Sequence, residues 1–583
     1  MEQIEFNLLE EPWIRVMKKD CTIEECSLTQ ALLNSHEYLR LSGELPTQDV
    51  AILRLLLAVL HTVFYRVDTD GQEDPIEDEK QALERWCDLW QAKRLPQKPI
   101  CEYLEQWKDR FWLFHPEHPF YQVPAAERGT WFIASKLNGE ISESGHKMRL
   151  FPTRTGFNRT TLSYAEAARW LITFIGFDDG NSVKIDSKGV GAGWLGQHIN
   201  LYTQGDNLLE TLLLNLVFLK DGREVWEVWN DVKNEWVKPA WEKPVLKTAE
   251  KKEIAIPNSQ SELLTLQSRR IILARENEKV LGFGATGGDF WKNDENAGAF
   301  SEQMTQWYKS EESRNKPAEY FPKSVNAKRQ MWRDFETIIG DEEGQHAPGI
   351  VSWLRELKRR HKLDAKMIHI HSIGVTYDSN RSSITEIVAD QLEFHAALLD
   401  EAGALWVKRI GEKITQTDCV AKIVGEYAEG LSLARGERPS QNNTERRAYN
   451  RGMQLYYAAV DLPFRKWLSK IGEQNSDDQD TRDQLDLEWR KEAYQIAMRI
   501  GADMANSAGK SAFTGQWLLW SPKGKNETAR KAEVAAKLKG RMAFMREKGW
   551  QIFYSTPTEM ERFSKALQNC LKTHNIRKEA VDE

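Results

Sequence analysis

The sequence predicts an α+β fold, a mixed N-terminal body of short sheets and helices followed by a C-terminal four-helix bundle. Three observations carry that expectation. Short apolar runs broken by turn residues recur through the first 384 residues. Beyond them, apolar residues return every three or four positions through roughly 385–409, 442–471, 483–507 and 527–575. Polar breaks at 474–480 and 521–526 separate these stretches, and long helices with short connections pack antiparallel as a bundle. The division is placed at 1–384 and 385–583, within the several domains that 583 residues suggest.

Taken in order, Trp13-Ile14-Arg15-Val16 reads as a strand, and Thr47 as the N-cap of the helix after it. The apolar stretch 50–64 contains Arg54 and His61 and is too short to span a bilayer, so it reads as a core helix. Residues 140–161 are polar and basic and read as a long exposed loop, a kind that is usually functional or disordered. Helices are expected at 163–176 and 206–220, around a glycine-rich segment, 189–196. A hairpin follows, Arg270–Ala274 and Lys279–Gly282 about a turn at Asn277, and then a strand, 367–375, leading into the polar turn 377–383.

Hydrophobic residues make up 41% and charged residues 29%, a globular and soluble composition. The 22 tryptophans suit either large cores or partner interfaces. Net charge is −7 but uneven: 401–583 carry 31 Lys and Arg against 25 Asp and Glu, a balance of +6, which leaves −13 on the remainder. Within 523–548, nine basic residues face three acidic ones, a pattern open to two readings, a solvated helix face or a stripe for phosphates. The six cysteines are scattered and form no CxxC pair, which fits a reducing cytoplasm and predicts no structural zinc. Residues 1–11 are acidic and lack the order of a signal peptide.

Catalytic motifs are few. Gly191–Gly196 and Gly282–Gly287 both spell GxGxxG, but neither joins a buried strand to a helix N-terminus, the setting a dinucleotide needs. His115 with His118, and His369 with His371, could serve a metal, yet hydrolysis needs three or four converging ligands and an open position. No GxSxG, HExxH or GxxxxGK[ST] occurs, and no cofactor is expected.

Four segments are distinctive as an ordered set: Phe6-Asn7-Leu8-Leu9-Glu10-Glu11-Pro12-Trp13-Ile14, Phe111-Trp112-Leu113-Phe114-His115-Pro116-Glu117-His118-Pro119-Phe120-Tyr121-Gln122, Leu264-Thr265-Leu266-Gln267-Ser268-Arg269-Arg270 and Met331-Trp332-Arg333-Asp334-Phe335. Together they resemble CasA, the family of large subunits of the type I-E CRISPR surveillance complex Cascade. The resemblance implies a non-catalytic cytoplasmic protein that meets the 5′ handle of a guide RNA, other Cascade subunits, double-stranded target DNA and a helicase-nuclease, with no membrane contact. Such a subunit reads a short protospacer-adjacent motif, largely from the minor groove, and drives a wedge into the duplex.

Carried onto this chain, the wedge is Asn380, Arg381 and Ser382, with Arg381 where the family often has Gln. The glycine loop is Gly189, Val190, Gly191, Ala192 and Gly193, and the RNA-handle loop spans about 143–160 with Arg149, Phe151 and Arg154. Lys309 is the expected minor-groove lysine, with Lys316 as its rival, and Lys531, Lys537, Lys539 and Arg541 form a basic face on the bundle. Two other functions remain open on the residues alone: a metal-dependent hydrolase using the four histidines, and a scaffold that binds nucleic acid without sequence preference.

Overall fold

The computed structural model describes residues 4–571 apart from 140–159, 180–183, 186–187, 190, 227, 231–234, 251, 256, 258, 291–299, 310–319, 341–345, 364–366, 380–382, 401–402, 438–445, 473–478 and 525. The chain divides into two compact units, Met1–Glu401 and Ala402–Glu583.

In the first unit, β1 (Ile14–Lys18) lies between β2 (Ile23–Cys26) and β3 (Tyr38–Leu41) in an antiparallel sheet. Helix α1 (Pro46–Arg66) follows. Its N-cap is Leu45 with Pro46 in the first turn, where a fixed φ and a missing amide cost nothing. Thr47, expected as the cap, is buried inside the helix. Asp49 and Gln48 instead accept the preceding amides of Gly43 and Glu44, at 2.7 and 3.1 Å.

At 21 residues α1 is longer than its apolar stretch suggested, and an 18-residue window has mean hydropathy 1.5. Length alone would let it cross a membrane, but 94% of that window is buried inside the protein. A helix apolar on every side belongs in a core. Arg54, also buried there, is held by both oxygens of Glu302 at 2.9 and 2.8 Å. Burial opposes ionisation of Glu302, yet Arg54 overrides it and brings the carboxyl pKa down to about 2.

Strand β4 (Thr130–Ile133) precedes α2 (Tyr164–Phe177), and β5 (Asn200–Gln204) follows it. The expected hairpin is β6 (Arg269–Glu276) and β7 (Lys279–Gly287), turning at Asn277 and Glu278, whose φ values of 52° and 58° suit a primed turn. Strand β7 also pairs with β4. The second GxGxxG therefore lies within a strand, where a Cβ on Gly284 would stand 2.7 Å from the Ala126 carbonyl. Close backbone packing explains these glycines, not a nucleotide.

Two short strands, β8 (Trp307–Lys309) and β9 (Tyr320–Pro322), pair antiparallel. Strand β10 (Met367–Tyr377) then runs between β5 and β11 (Ile384–His395). Residues 385–395 were expected to open the helical region and are instead a strand of the first unit. Ile384, Thr385, Ile387 and Val388 are β-branched, and eleven register pairs with β10 outweigh a spacing of three and four.

In the second unit, α3 (Ala404–Ala434) packs against α4 (Arg447–Ser469), α5 (Gln479–Thr514) and α7 (Thr556–Leu571), the expected four-helix bundle. Trp406, Ile410, Ile414, Val420, Val424 and Leu431 form the buried stripe of α3. Trp489 of α5 packs at 4.9 Å from Phe464 and 5.7 Å from Trp467, and its indole donates to Thr417 Oγ1 at 3.1 Å. Most of the aromatic load serves cores of this kind; Trp13, Trp86, Trp332 and Trp353 are likewise fully buried.

The stretch 527–575 is not one helix. It holds α6 (Glu527–Leu538), then β13 (Ala543–Arg546) and β14 (Gly549–Tyr554), before α7. With β12 (Gln516–Trp520) these strands form an antiparallel sheet in the order β12–β14–β13. Gly540 and Gly549, at φ 70° and 135°, punctuate what looked helical, and α5 itself breaks at Gly509, φ 80°.

Candidate nucleic-acid interface

Helix α2 is set by a capping box: Ser163 accepts the Glu166 amide while Glu166 accepts the Ser163 amide. It delivers Asp178 and Asp179 to one edge of the first unit, where both are buried. Arg269, at the start of β6, donates Nε to Asp178 Oδ2 at 2.7 Å and Nη2 to the Gly191 carbonyl at 2.6 Å. The Gly193 amide donates to the Asp178 carbonyl at 2.8 Å, and a Cβ on Gly193 would collide with Gly176. Trp194 closes the segment, its amide on Ser268 Oγ at 3.0 Å and its indole on Glu302 at 3.2 Å.

The latter half of the glycine loop is thus fixed to the core, while a Cβ on exposed Gly191 would meet nothing within 4 Å. Gly193 needs to be glycine for packing; Gly191 offers open backbone. Gly189 ends a two-residue strand, Ala192 is buried, and Val190 lies outside the described residues.

The hairpin of β10 and β11 reaches the same edge. Tyr377 donates its hydroxyl to the Phe177 carbonyl at 3.0 Å and covers Gly196. Thr376 and Thr385 join hydroxyls at 2.8 Å, and the Asp378 amide donates to the Ser383 carbonyl at 3.1 Å. These bonds close the hairpin on either side of Asn380, Arg381 and Ser382, which lie outside the described residues, as do Arg149, Phe151 and Arg154 of the handle loop.

A cavity of about 700 Å³ lies between the end of α2 and the β10–β11 hairpin, lined among others by Lys136, Gly139, Asp178, Asp179, Ile384 and Glu386. Lys136 holds Asp179 at 2.7 Å on its wall. The chain leading to each of the three expected loops passes this rim, at Gly139, at Asp179 and at Ile384.

Lys309 is exposed on β8, its Nζ 5.8 Å from the centre of the Tyr320 ring. Its hairpin is anchored next to β5, with the Ile199 amide on the Lys323 carbonyl at 2.8 Å and the Leu201 amide on Met304 at 2.7 Å. Lys316 lies outside the described residues.

The basic face of the bundle needs correction. Arg541 is turned inward, both arms on Glu559 at 2.6 Å, with its guanidinium 4.5 Å from the Tyr554 ring centre. Burial, countered by Glu429, pushes the Lys537 amine below its usual range. Lys531 pairs along the helix with Glu527 at 2.8 Å, and Lys539 is exposed at the helix end.

The histidines do not converge as a hydrolase would need. Asp109, His115 and His118 gather with ligand atoms within 4.8 Å of one another, but His369 and His371 lie apart from them on β10. His371 stacks on Tyr202, centroids 5.0 Å apart. His115 Nδ1 accepts the amides of Glu117 and His118, both at 3.1 Å. An accepting Nδ1 puts the proton of a neutral ring on Nε2, the atom that faces Asp109 and would have to bind the metal. The cluster suits a hydrogen-bonded turn better than a coordination sphere.

Sequence reasoning named the loops but not the residues that hold them. Arg269 and Tyr377 stood within quoted segments, yet nothing local marks their partners Asp178 and Phe177, some 91 and 200 residues away.

Residues 7–500 match the family model for CRISPR-associated protein Cse1. A curated relative from Thermus thermophilus, CRISPR-associated protein CasA/Cse1, is 37% identical over 228 residues, which is 38% of this chain and 42% of that protein's own length. The crystal structure of Thermobifida fusca Cse1 superposes with a TM-score of 0.74 at 26% identity, covering 98% of each chain. A chain from a solved CRISPR RNA-guided surveillance complex shares the fold, with a TM-score of 0.63 at 17% identity over 86% of this chain and 99% of that one. With the matched region spanning both units and most of the sequence, the chain belongs to the CRISPR-associated Cse1 family.

Proposed function

We propose that the chain is a non-catalytic, cytoplasmic subunit of a CRISPR RNA-guided surveillance complex. In it, the chain reads a short protospacer-adjacent motif in duplex DNA, helps part the strands, and recruits a helicase-nuclease. The observation that carries this is the shared rim: the chain toward the handle loop, the glycine loop and the wedge leaves from one cavity wall. Tyr377–Phe177 and Arg269–Asp178 bind those anchors together. Open backbone at Gly191 suits close approach to a groove. Minor-groove reading is tolerant because only the guanine amino group departs from a degenerate pattern.

Opening a base step costs a few kcal/mol, which Asn380, Arg381 and backbone contacts offset. Arg381 adds a charge that draws phosphate. Guide RNA and the other subunits complete the site through the loop carrying Arg149, Phe151 and Arg154, while Lys309 reaches the minor groove.

The test is a library of flanking motifs bound by the reconstituted complex, with permanganate footprinting for strand opening. Asn380→Ala with Arg381→Ala should leave initial contact and abolish most opening. Equal binding to every flanking sequence would replace this reading by the non-specific scaffold. Stoichiometric metal retained through purification and lost on His115→Ala would favour the hydrolase.

A further inference from the structure

The sheet of the second unit has one face against the bundle and one bare. Ile552 and Tyr554 of β14 point inward and are buried. The register sets Trp517 opposite Phe553, and Leu519, Gln551 and Phe544 in a row across the three strands, all on the other face. Trp517 is 45% exposed, Leu519 48% and Phe544 41%, unusual for large side chains side by side. The Trp517 ring lies 5.2 Å from both Phe544 and Phe553, and the Arg546 guanidinium stands 5.1 Å from the Phe544 centre. Residues 517, 544 and 553 therefore form a continuous aromatic surface edged by a cation.

The surroundings are basic. Segment 523–548 carries nine Lys and Arg against three acidic residues. Lys537 and Arg541 are committed inward, but Lys523, Lys539, Arg546 and Lys548 are exposed. Helix α6 contributes only Arg530, Lys531 and Lys537 to this charge, against Glu527 and Glu533, and none of its residues is fully buried. Glu547 stands between Arg546 and Lys548, so the border is net positive rather than of one sign, and rings beside such a cationic excess fit a polyanion with flat, stackable groups. Duplex DNA hides its base faces, so a single strand is the form that can use the rings.

We propose that the outward face of β12, β14 and β13 is a stacking platform for single-stranded DNA. Bases lie on Trp517, Phe544 and Phe553, and phosphates run toward Arg546, Lys548 and Lys523. Binding itself is independent of motif reading; the choice of DNA over RNA rests on that function, since parted target strands supply such a ligand.

The test uses the full chain and a fluorescent 20-nucleotide oligodeoxythymidylate, read by anisotropy. Trp517→Ala with Phe544→Ala should weaken binding about tenfold or more, whereas Trp517→Phe, which keeps a ring, should stay within about threefold of the parent. Arg546→Ala with Lys548→Ala should flatten the dependence on salt. Motif-dependent duplex binding by the assembled complex should survive the ring substitutions, which separates failure here from failure of the function above. No oligonucleotide binding by the parent, or binding unchanged by ring removal with melting temperature preserved, overturns the proposal. Tighter binding of oligouridylate overturns the assignment to DNA. A parent dimer that becomes monomeric on ring removal, without oligonucleotide affinity, reassigns the face to self-association.

Discussion

Arg269 bridges Asp178, before the glycine loop, and the carbonyl of Gly191 within it, two groups 13 positions apart, through bonds of 2.7 and 2.6 Å. Both partners of the ion pair are buried, so the interaction serves position more than net stability. Arg269→Ala strands a buried carboxylate and should cost about 3–5 kcal/mol. Arg269→Lys keeps the charge but cannot span both acceptors. It should cost less in thermal unfolding while still lowering motif-dependent duplex affinity, and intact affinity in that variant would unseat Arg269 as a positioning residue.

Tyr377→Phe removes one hydroxyl from the Phe177 carbonyl and leaves the ring over Gly196. A loss near 1 kcal/mol is expected in denaturant unfolding. Gly196→Ala should cost more, because its methyl meets the Tyr377 hydroxyl head-on. Both should reduce strand opening by the assembled complex, and comparing permanganate reactivity with duplex affinity isolates that effect.

Acid should weaken the first unit through His61. Burial holds its pKa at about 3, against 6.5 for an ordinary imidazole. Between those values the unfolded chain takes a proton that the folded one refuses, so stability falls as pH drops below 6.5 at up to about 1.4 kcal/mol per unit. Asp49 acts in the opposite sense: burial raises it from 3.8 to about 6, so its contribution grows as pH falls from 6 toward 4. His61→Gln should flatten the acid limb of urea unfolding, and Asp49→Asn should steepen it while raising stability at pH 8. Unchanged limbs in both would refute the burial argument.

Basic residues of the bundle should separate cleanly by partner. Arg541→Ala leaves Glu559, 3% exposed, without its bidentate cation and should cost about 3–5 kcal/mol. Lys531→Ala removes only an exposed pair with Glu527 and should stay within about 0.5 kcal/mol. Thermal melts of the two single variants check the contrast.

Where local pattern and burial agreed, the fold was legible: α2, the β6–β7 hairpin, α4 and α5 stand where periodicity placed them, whereas α3 begins near the end of its expected stretch, α7 fills only the last part of its own, and 206–220 is helical only at Leu208–Leu214. It failed where spacing was ambiguous. Ile384, Ile387, Val388 and Leu392 fit a helical spacing, and only the pairing with β10, a tertiary fact, makes them strand. The sheet of β12–β14 was hidden because Ala-rich α6 sits in its middle and extends the helical signal. Thr47 lost its capping role because Pro46, whose ring presets the first turn, starts the helix earlier with Leu45 as N-cap. Of the candidate site, loop glycines and a polar turn were visible from residue types. Their fastening to Asp178, Phe177 and Lys136 was not, because such bonds join distant stretches and leave no periodic trace.

The fastening of Asp178, Asp179 and Tyr377 gives the cavity wall a foundation that owes nothing to the sequences mounted on it. Swapping residues 180–190 or 380–382 for those of another subunit of this kind would leave every one of these anchoring bonds in place. On the function proposed above, motif preference drifts by exchange of two brief stretches while the architecture beneath them is inherited unaltered.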